Sequence, residues 1–163
     1  MGSEMCIRDR SKWHAHSVKN KKGVALERID PDAATQDAAN WTSASETVGY
    51  GTPGYQNSQY KDASSGGATG IEPPVWIEES GSYTVSYLLD RPGYSCRAFV
   101  FNTSGLRVAD ISNHELLGIS GKITWSGVAN NGSPLQTGVY IFYAEIYHPE
   151  GTVKRFKKAF LIR

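Results

Sequence analysis

Few residues in this chain have types and spacings that suit chemistry. His14-Ala15-His16 sets two imidazoles on one face of an extended chain, as a metal pair would need. No third ligand stands nearby, so the pair reads as exposed and incidental. Asp30, Asp32 and Asp37 bring three carboxylates into one polar stretch, but without the ordered spacing and glycine of a calcium loop. They read as solvated turn residues. Glu78 and Glu79 are adjacent, and neighbours on a strand point to opposite faces, a poor arrangement for paired acid–base work. Nucleophilic catalysis needs a Ser, Cys or Thr beside a positioned His and an oxyanion site. No G-x-S-x-G elbow occurs, and His114 and His148 fall in turn-like text. These residues therefore carry no catalytic constellation, metal site or cofactor site, and the reading is of a non-enzymatic module.

Two groups of residues suit binding instead. Lys154, Arg155, Lys157, Lys158 and Arg163 form a basic stripe on the last apolar segment. Its plain role is to guard an edge strand against aggregation. Its sharper role is a docking surface, made by Lys154, Arg155, Lys157 and Lys158, for an acidic partner or a polysaccharide. Nucleic acid is not expected, because the charge is local and has no aromatic stacking platform beside it. The tyrosines Tyr83, Tyr87, Tyr94, Tyr140, Tyr143 and Tyr147 are the second group. A carbohydrate platform needs two or three exposed rings on one face. Tyr143 and Tyr147 share a face with Val139 and Ile141, which reads as core.

Composition sets the frame around these residues. The chain has 163 residues, a net charge of +1, 39% hydrophobic and 20% charged residues. That suits a globular protein and gives no global field for nucleic acid or anionic lipid. No apolar run approaches the roughly 20 residues that span a bilayer as a helix. Of the two cysteines, Cys6 and Cys96, the second opens an apolar strand and reads as a small buried thiol. Nothing recommends a disulfide between them.

The elements that must position these residues are all extended. Residues 1–10, MGSEMCIRDR, have no periodicity and no apolar signal core, and MCIRDR resembles translated sequencing-adapter read-through of the kind found in metagenomic reading frames. A true N-terminus is then expected upstream, and the lack of a signal peptide here says nothing about secretion. In 11–60, Gly23–Ile29 reads as a strand with Val24, Leu26 and Arg28 on one face. Trp41 reads as a plug on a small core, and Gly49 to Gly54 as irregular chain. Residues 61–72 have the composition of a flexible linker. In 73–163, strands are expected at Val75–Glu79, Ser82–Asp90, Cys96–Phe101, Leu106–Ile111 and Lys122–Trp125, then in a closing hairpin, Val139–Tyr147 and Thr152–Arg163. Tyr83, Val85, Tyr87 and Leu89 alternate onto one face. Cys96–Phe101 is apolar on both faces and reads as central. About seven short strands with turns every 8–12 residues are the pattern of an antiparallel β-sandwich.

Two family resemblances follow from particular residues. Lys12-Trp13-His14, Lys22 to Ile29 with its LERI element around Leu26, Asn40-Trp41-Thr42-Ser43-Ala44 and Thr52-Pro53-Gly54-Tyr55-Gln56-Asn57 resemble the last third to half of a bacterial lamin-tail domain. The resemblance implies an Ig-like fragment over 11–60 that lacks its early strands, with open edges and an incomplete core. Such a piece is expected to be partly ordered and to lean on the next domain. Phe101 to Val108 with Gly105, then Trp125-Ser126-Gly127, Asn131-Gly132 and Thr137-Gly138-Val139-Tyr140, resemble the Ig-like domain of the flagellar hook-capping protein (FlgD-type). That implies a fibronectin III-like sandwich over 73–163. The Asp-rich opening of such domains is absent at Trp76 to Ser82, and Ser126 stands in place of the usual Asp, so the resemblance implies no metal site.

Together the resemblances imply the C-terminal end of a secreted or cell-surface bacterial protein. It would act as a spacer, adhesion or anchoring module beside neighbouring domains of the same polypeptide or cell-surface machinery. A sorting domain of the type IX secretion route and a carbohydrate-binding accessory module are the alternatives. Any enzyme would lie upstream of Ser11. Trp125 is expected to be buried against Tyr140 or its neighbours.

Overall fold

The computed structural model describes residues 10–61 and 69–163. The readings of 1–10 as a scar and of most of 61–72 as a linker therefore lie largely outside the described residues. The fold is all-β and antiparallel, a sandwich with a small β-containing segment docked against it.

Residues 10–61 form one two-stranded sheet, β1 (Leu26–Arg28) against β2 (Trp41–Ser43). Short 3-10 turns sit at Ser11–Trp13, Ala38–Asn40 and Glu46–Val48. The connection between the strands is pinned locally. Asp37 accepts a hydrogen bond from the Ala39 N–H at 2.9 Å, and Asp30 from the Asp32 N–H at 2.8 Å. Polar side chains that bond to nearby backbone favour such turns over regular structure.

The sandwich has two sheets. In the first, β5 (Ser82–Leu88) is flanked on one side by β3 (Gly70–Ile71) and β4 (Val75–Ile77), and on the other by β8 (Ser120–Trp125). The second has the order β10 (Val153–Ile162), β9 (Gly138–Tyr147), β6 (Ser95–Phe101), β7 (Arg107–Leu116). The seven expected strands are present, and β6 is central as its two apolar faces require. An eighth, β3, comes from the stretch read as linker: Ile71 pairs with Tyr87 and is buried, so Gly70–Ile71 belongs to the sheet.

Alternation explains most of the core. Tyr83, Val85 and Tyr87 of β5, with Leu89 just beyond it, face Cys96, Ala98 and Val100 of β6, Phe142, Ala144 and Ile146 of β9, and Phe160 and Ile162 of β10. Ile123 and Trp125 of β8 join them. Trp125 packs edge-on to Phe160 at 6.3 Å and lies 5.5 Å from the Tyr83 ring. Its indole N–H donates to the Val128 carbonyl at 3.0 Å, so the ring is buried without an orphaned donor. Tyr140 reaches it through Phe160, 6.2 Å away.

Two expectations are overturned. The strand expected to end at Ile111 runs on to Leu116, so the region after Ile111 is the second half of β7. Three register shifts between β6 and β7 let this polar text stay paired, and Ser112 turns inward to donate to the Cys96 carbonyl at 3.1 Å. His114 thus lies in a strand, at φ +65°, and not in a turn. The second correction concerns the face of β9. Tyr140, Phe142, Ala144 and Ile146 point into the sandwich, while Val139, Ile141, Tyr143 and Tyr147 point out. Tyr143 and Tyr147 therefore do not fill the core. Ala98 and Ala144 are paired neighbours on the inner face, leaving room for Tyr83, Tyr87 and Tyr94 from around it.

Candidate functional site

Three surfaces merit a site-by-site account: the junction between 10–61 and the sandwich, the outer face of β9, and the side of the sandwich beside β10.

The junction is built around Glu27, which is only 3% exposed. One carboxylate oxygen accepts from the Thr52 hydroxyl at 2.6 Å. The other accepts from the Ser58 hydroxyl at 2.6 Å and the Gln59 N–H at 3.1 Å. Charged acceptors form the stronger class of hydrogen bond, and here all three donors belong to residues 52–59. That grip fixes the segment 58–59 beside β1. Ser58 and Gln59 then reach the sandwich. The Ser58 carbonyl accepts from the Ile119 N–H at 2.9 Å, and the fully buried Gln59 amide donates to the Ser43 and Leu117 carbonyls, both at 3.1 Å. Leu117-Gly118-Ile119 is the crossing from one sheet to the other, so the docked segment holds both sheets at once. Nearby, the Thr47 hydroxyl lies 3.2 Å from the Tyr87 hydroxyl, which also accepts from the Gly118 N–H at 3.3 Å. Burial pushes the Tyr87 phenol up from its usual value. Gly118 is required by proximity: an added Cβ would sit 2.5 Å from the Ser58 carbonyl oxygen.

The loop bearing Gly127 and Gly132 has a structural task. Asn130 runs beside β7, its N–H donating to the Val108 carbonyl at 2.9 Å and its side chain accepting from the Asp110 N–H at 2.8 Å. The loop thereby covers the first part of the β7 edge, and Glu46–Val48 packs on the later part and on β8. Gly138 and Tyr140 open β9, and Tyr140 donates to the Gln136 carbonyl. Gly105, at φ +78°, completes the β6–β7 turn that Asn102 holds by accepting from Ser104 and Leu106. Leu26 is half-buried on β1, and Pro53-Gly54 form the turn closed by Tyr55 N–H to Thr52. Trp41 is half-buried on β2, 6.0 Å from Trp13, and its indole donates to Thr35; it lies on the surface of the segment and plugs no core.

The reactive candidates are dispersed. His14 lies 2.9 Å from the Ser43 hydroxyl and its pKa is lowered, mainly by burial. Ser43 is completely buried and already accepts from the Ala15 N–H, so this contact ties the start of the segment to β2. His16 is exposed. His148 packs on Tyr94 at 5.2 Å and lies 3.2 Å from the Pro92 carbonyl. Cys96 is buried, and desolvation, with a smaller push from Glu115, raises its thiol pKa to about 12. Glu78 and Glu79 are exposed in the turn after β4. Among the described residues, no three His, Cys, Asp or Glu side chains gather as metal ligands would. No described helix is long and apolar enough to cross a membrane.

The basic stripe divides in two. Lys154 bonds Asp90 at 2.9 Å and Thr69 at 2.6 Å. The Asp90 carboxyl is held far below the usual range, chiefly by the Thr69 hydroxyl and also by Lys154. Arg155 pairs with Glu145 at 3.3 Å. Lys157 and Lys158 have no carboxylate partner among the described residues, so both retain charge for a partner. On the outer face, Lys157 borders a notch of about 340 Å³ with Phe101, Ile141 and Tyr143. Phe101 and Tyr143 meet at 85°, so their rings form a corner and not a flat platform. Phe99 stacks beside Tyr143 but is covered by the Arg107 guanidinium at 3.8 Å.

No protein-family model matches this chain, so neither family resemblance gains a family match. No curated protein matches it. Among solved structures it is similar to PorZ of Porphyromonas gingivalis, described as an essential bacterial surface component of the type-IX secretion system. The identity is 17%, the TM-score is 0.35, and the match covers 64% of this chain and 13% of that one. The chain spans about an eighth of that protein's length, and a likeness this distant carries no argument about function.

Proposed function

We propose that this chain is a non-catalytic module of a secreted or cell-surface bacterial protein, working as a rigid spacer and anchoring element. The observation that supports this best is the junction. A mobile tether would leave residues 10–61 and the sandwich as separate bodies. Here Glu27, Ser58 and Gln59 couple them through buried hydrogen bonds to Leu117 and Ile119. Buried polar contacts are costly to break singly, so they fix one relative arrangement. The residues that resemble a lamin-tail fragment and a hook-capping Ig-like domain supply the setting. X-ray scattering tests the spacer: a docked chain has a radius of gyration near 15 Å, the value for a compact 163-residue protein. A value above about 20 Å would mean that the two parts move apart.

A second reading, a sorting domain for the type IX route, draws support from the charges of Lys157 and Lys158 on an edge strand. Fusing the whole chain to a periplasmic reporter in a type IX-competent host separates the two. Export of the reporter favours sorting, and retention leaves the spacer reading.

A further inference from the structure

The side of the sandwich bearing β7 and β8 is covered by Asn130 and by residues 46–48. Among the described residues the opposite side is not. There β10 pairs only with β9 among the described residues, and β3 and β4 pair only with β5. These two open edges face each other. At one end of the seam they are bridged by Lys154 with Thr69 and Asp90. At the other end they part into a cleft of about 610 Å³, lined by Val75, Trp76, Tyr83, Leu161 and Arg163 among others. Trp76 is 41% exposed and Leu161 50%.

An open strand edge is ordinarily guarded by charge. Lys154, Arg155, Lys157 and Lys158 guard the first part of β10. Ala159 to Ile162 carry no charge, and of them Leu161 lines the cleft, whose apolar wall is Val75, Trp76 and Leu161 and whose charged lining is Glu78 and Arg163. We propose that this seam binds an extended acidic–apolar segment of a partner protein, which adds as a strand to the free edge of β10. Backbone recognition supplies the pairing, and pockets supply selectivity. The charge pattern specifies the partner. Lys157 points outward and Lys158 toward the inner face, and neither has a carboxylate. Two consecutive acidic residues, one on each face of the added strand, complement them. Apolar residues further along that strand fill the space beside Trp76 and Leu161. A second copy of β10 fits poorly, since it brings lysines against lysines. The inference stands apart from the spacer reading, because a spacer needs no cleft.

The test uses the whole chain and a capped decapeptide with two central glutamates flanked by valine and isoleucine. Calorimetry is expected to show saturable binding that weakens with salt. The double variant Lys157→Glu, Lys158→Glu should lose roughly tenfold in affinity, the sum of two exposed charge pairs. Methylating alternate backbone nitrogens of the peptide, on the side that pairs, should abolish binding, and Trp76→Ala should weaken it. Circular dichroism confirms that each variant is folded. Three results overturn the proposal: no binding at millimolar peptide, binding indifferent to backbone methylation in either register, or affinity unchanged in the double lysine variant. Salt-resistant self-association through β10, or oligosaccharide binding in place of peptide, would also overturn it.

Discussion

Glu27→Ala is the sharpest perturbation of the junction. The substitution removes an acceptor from the Thr52 and Ser58 hydroxyls and the Gln59 N–H, at a site only 3% exposed. Each buried polar group left without a partner costs about 1–3 kcal/mol. The simple sum is an upper bound, because hydroxyls rotate and a water can enter the vacated space. We expect a loss of about 3–5 kcal/mol, within the range for a broken buried network. Glu27→Gln keeps the volume and one carbonyl oxygen but puts an NH₂ group where a donor already points. It should cost about 1–2 kcal/mol. Urea unfolding followed by circular dichroism gives both values. Amide exchange adds the location: the Ile119 N–H, bonded to Ser58, should exchange faster in Glu27→Ala, while the β6 amides change less. A loss below about 1 kcal/mol, with Ile119 still protected, would refute the claim that Glu27 organises the junction.

Other outcomes follow from the core and its charges. Trp125→Ala should destabilise by about 3–5 kcal/mol, since it removes a ring packed on Tyr83 and Phe160; a loss under about 1 kcal/mol in urea unfolding would mean the ring is not a core element. Cys96 should resist a thiol reagent at pH 8 in the folded chain and react in urea, because the thiol is buried and its pKa is raised; rapid native labelling of Cys96 in a Cys6→Ser variant would contradict this. Asp90 has a lowered pKa in the folded chain, so its contribution is present above the unfolded value near 4 and is lost as pH falls below it. Asp90→Asn should therefore flatten the acid limb of a stability–pH profile, modestly, because the pair is partly exposed.

The sandwich was legible where burial is one-sided. In β5, Tyr83, Val85 and Tyr87 alternate with Thr84 and Ser86, and this alone places the inner face. In β9 both faces are apolar, so period two cannot choose between them. The deciding residue is Glu145, which shares a face with Tyr143 and Tyr147 and marks it as outward. The second half of β7 was hidden because its register shifts tolerate polar residues that a regular strand would bury. Glu27 was hidden for another reason. A glutamate in an alternating strand reads as solvent-facing, and its donors come from residues 25 to 32 positions away. The basic stripe misled in part because Asp90, the partner of Lys154, is 64 residues distant.

Whether residues 10–61 and the sandwich move as one body is the central question, and a distance between them answers it. Spin labels at exposed Lys19 and Lys122, introduced as Lys19→Cys and Lys122→Cys with Cys6→Ser, report it by pulsed electron resonance. We predict one narrow distance distribution, which broadens when Gly118→Ala drives a methyl group against the Ser58 carbonyl. A distribution that is already broad in the chain with Gly118 intact would contradict the rigid junction.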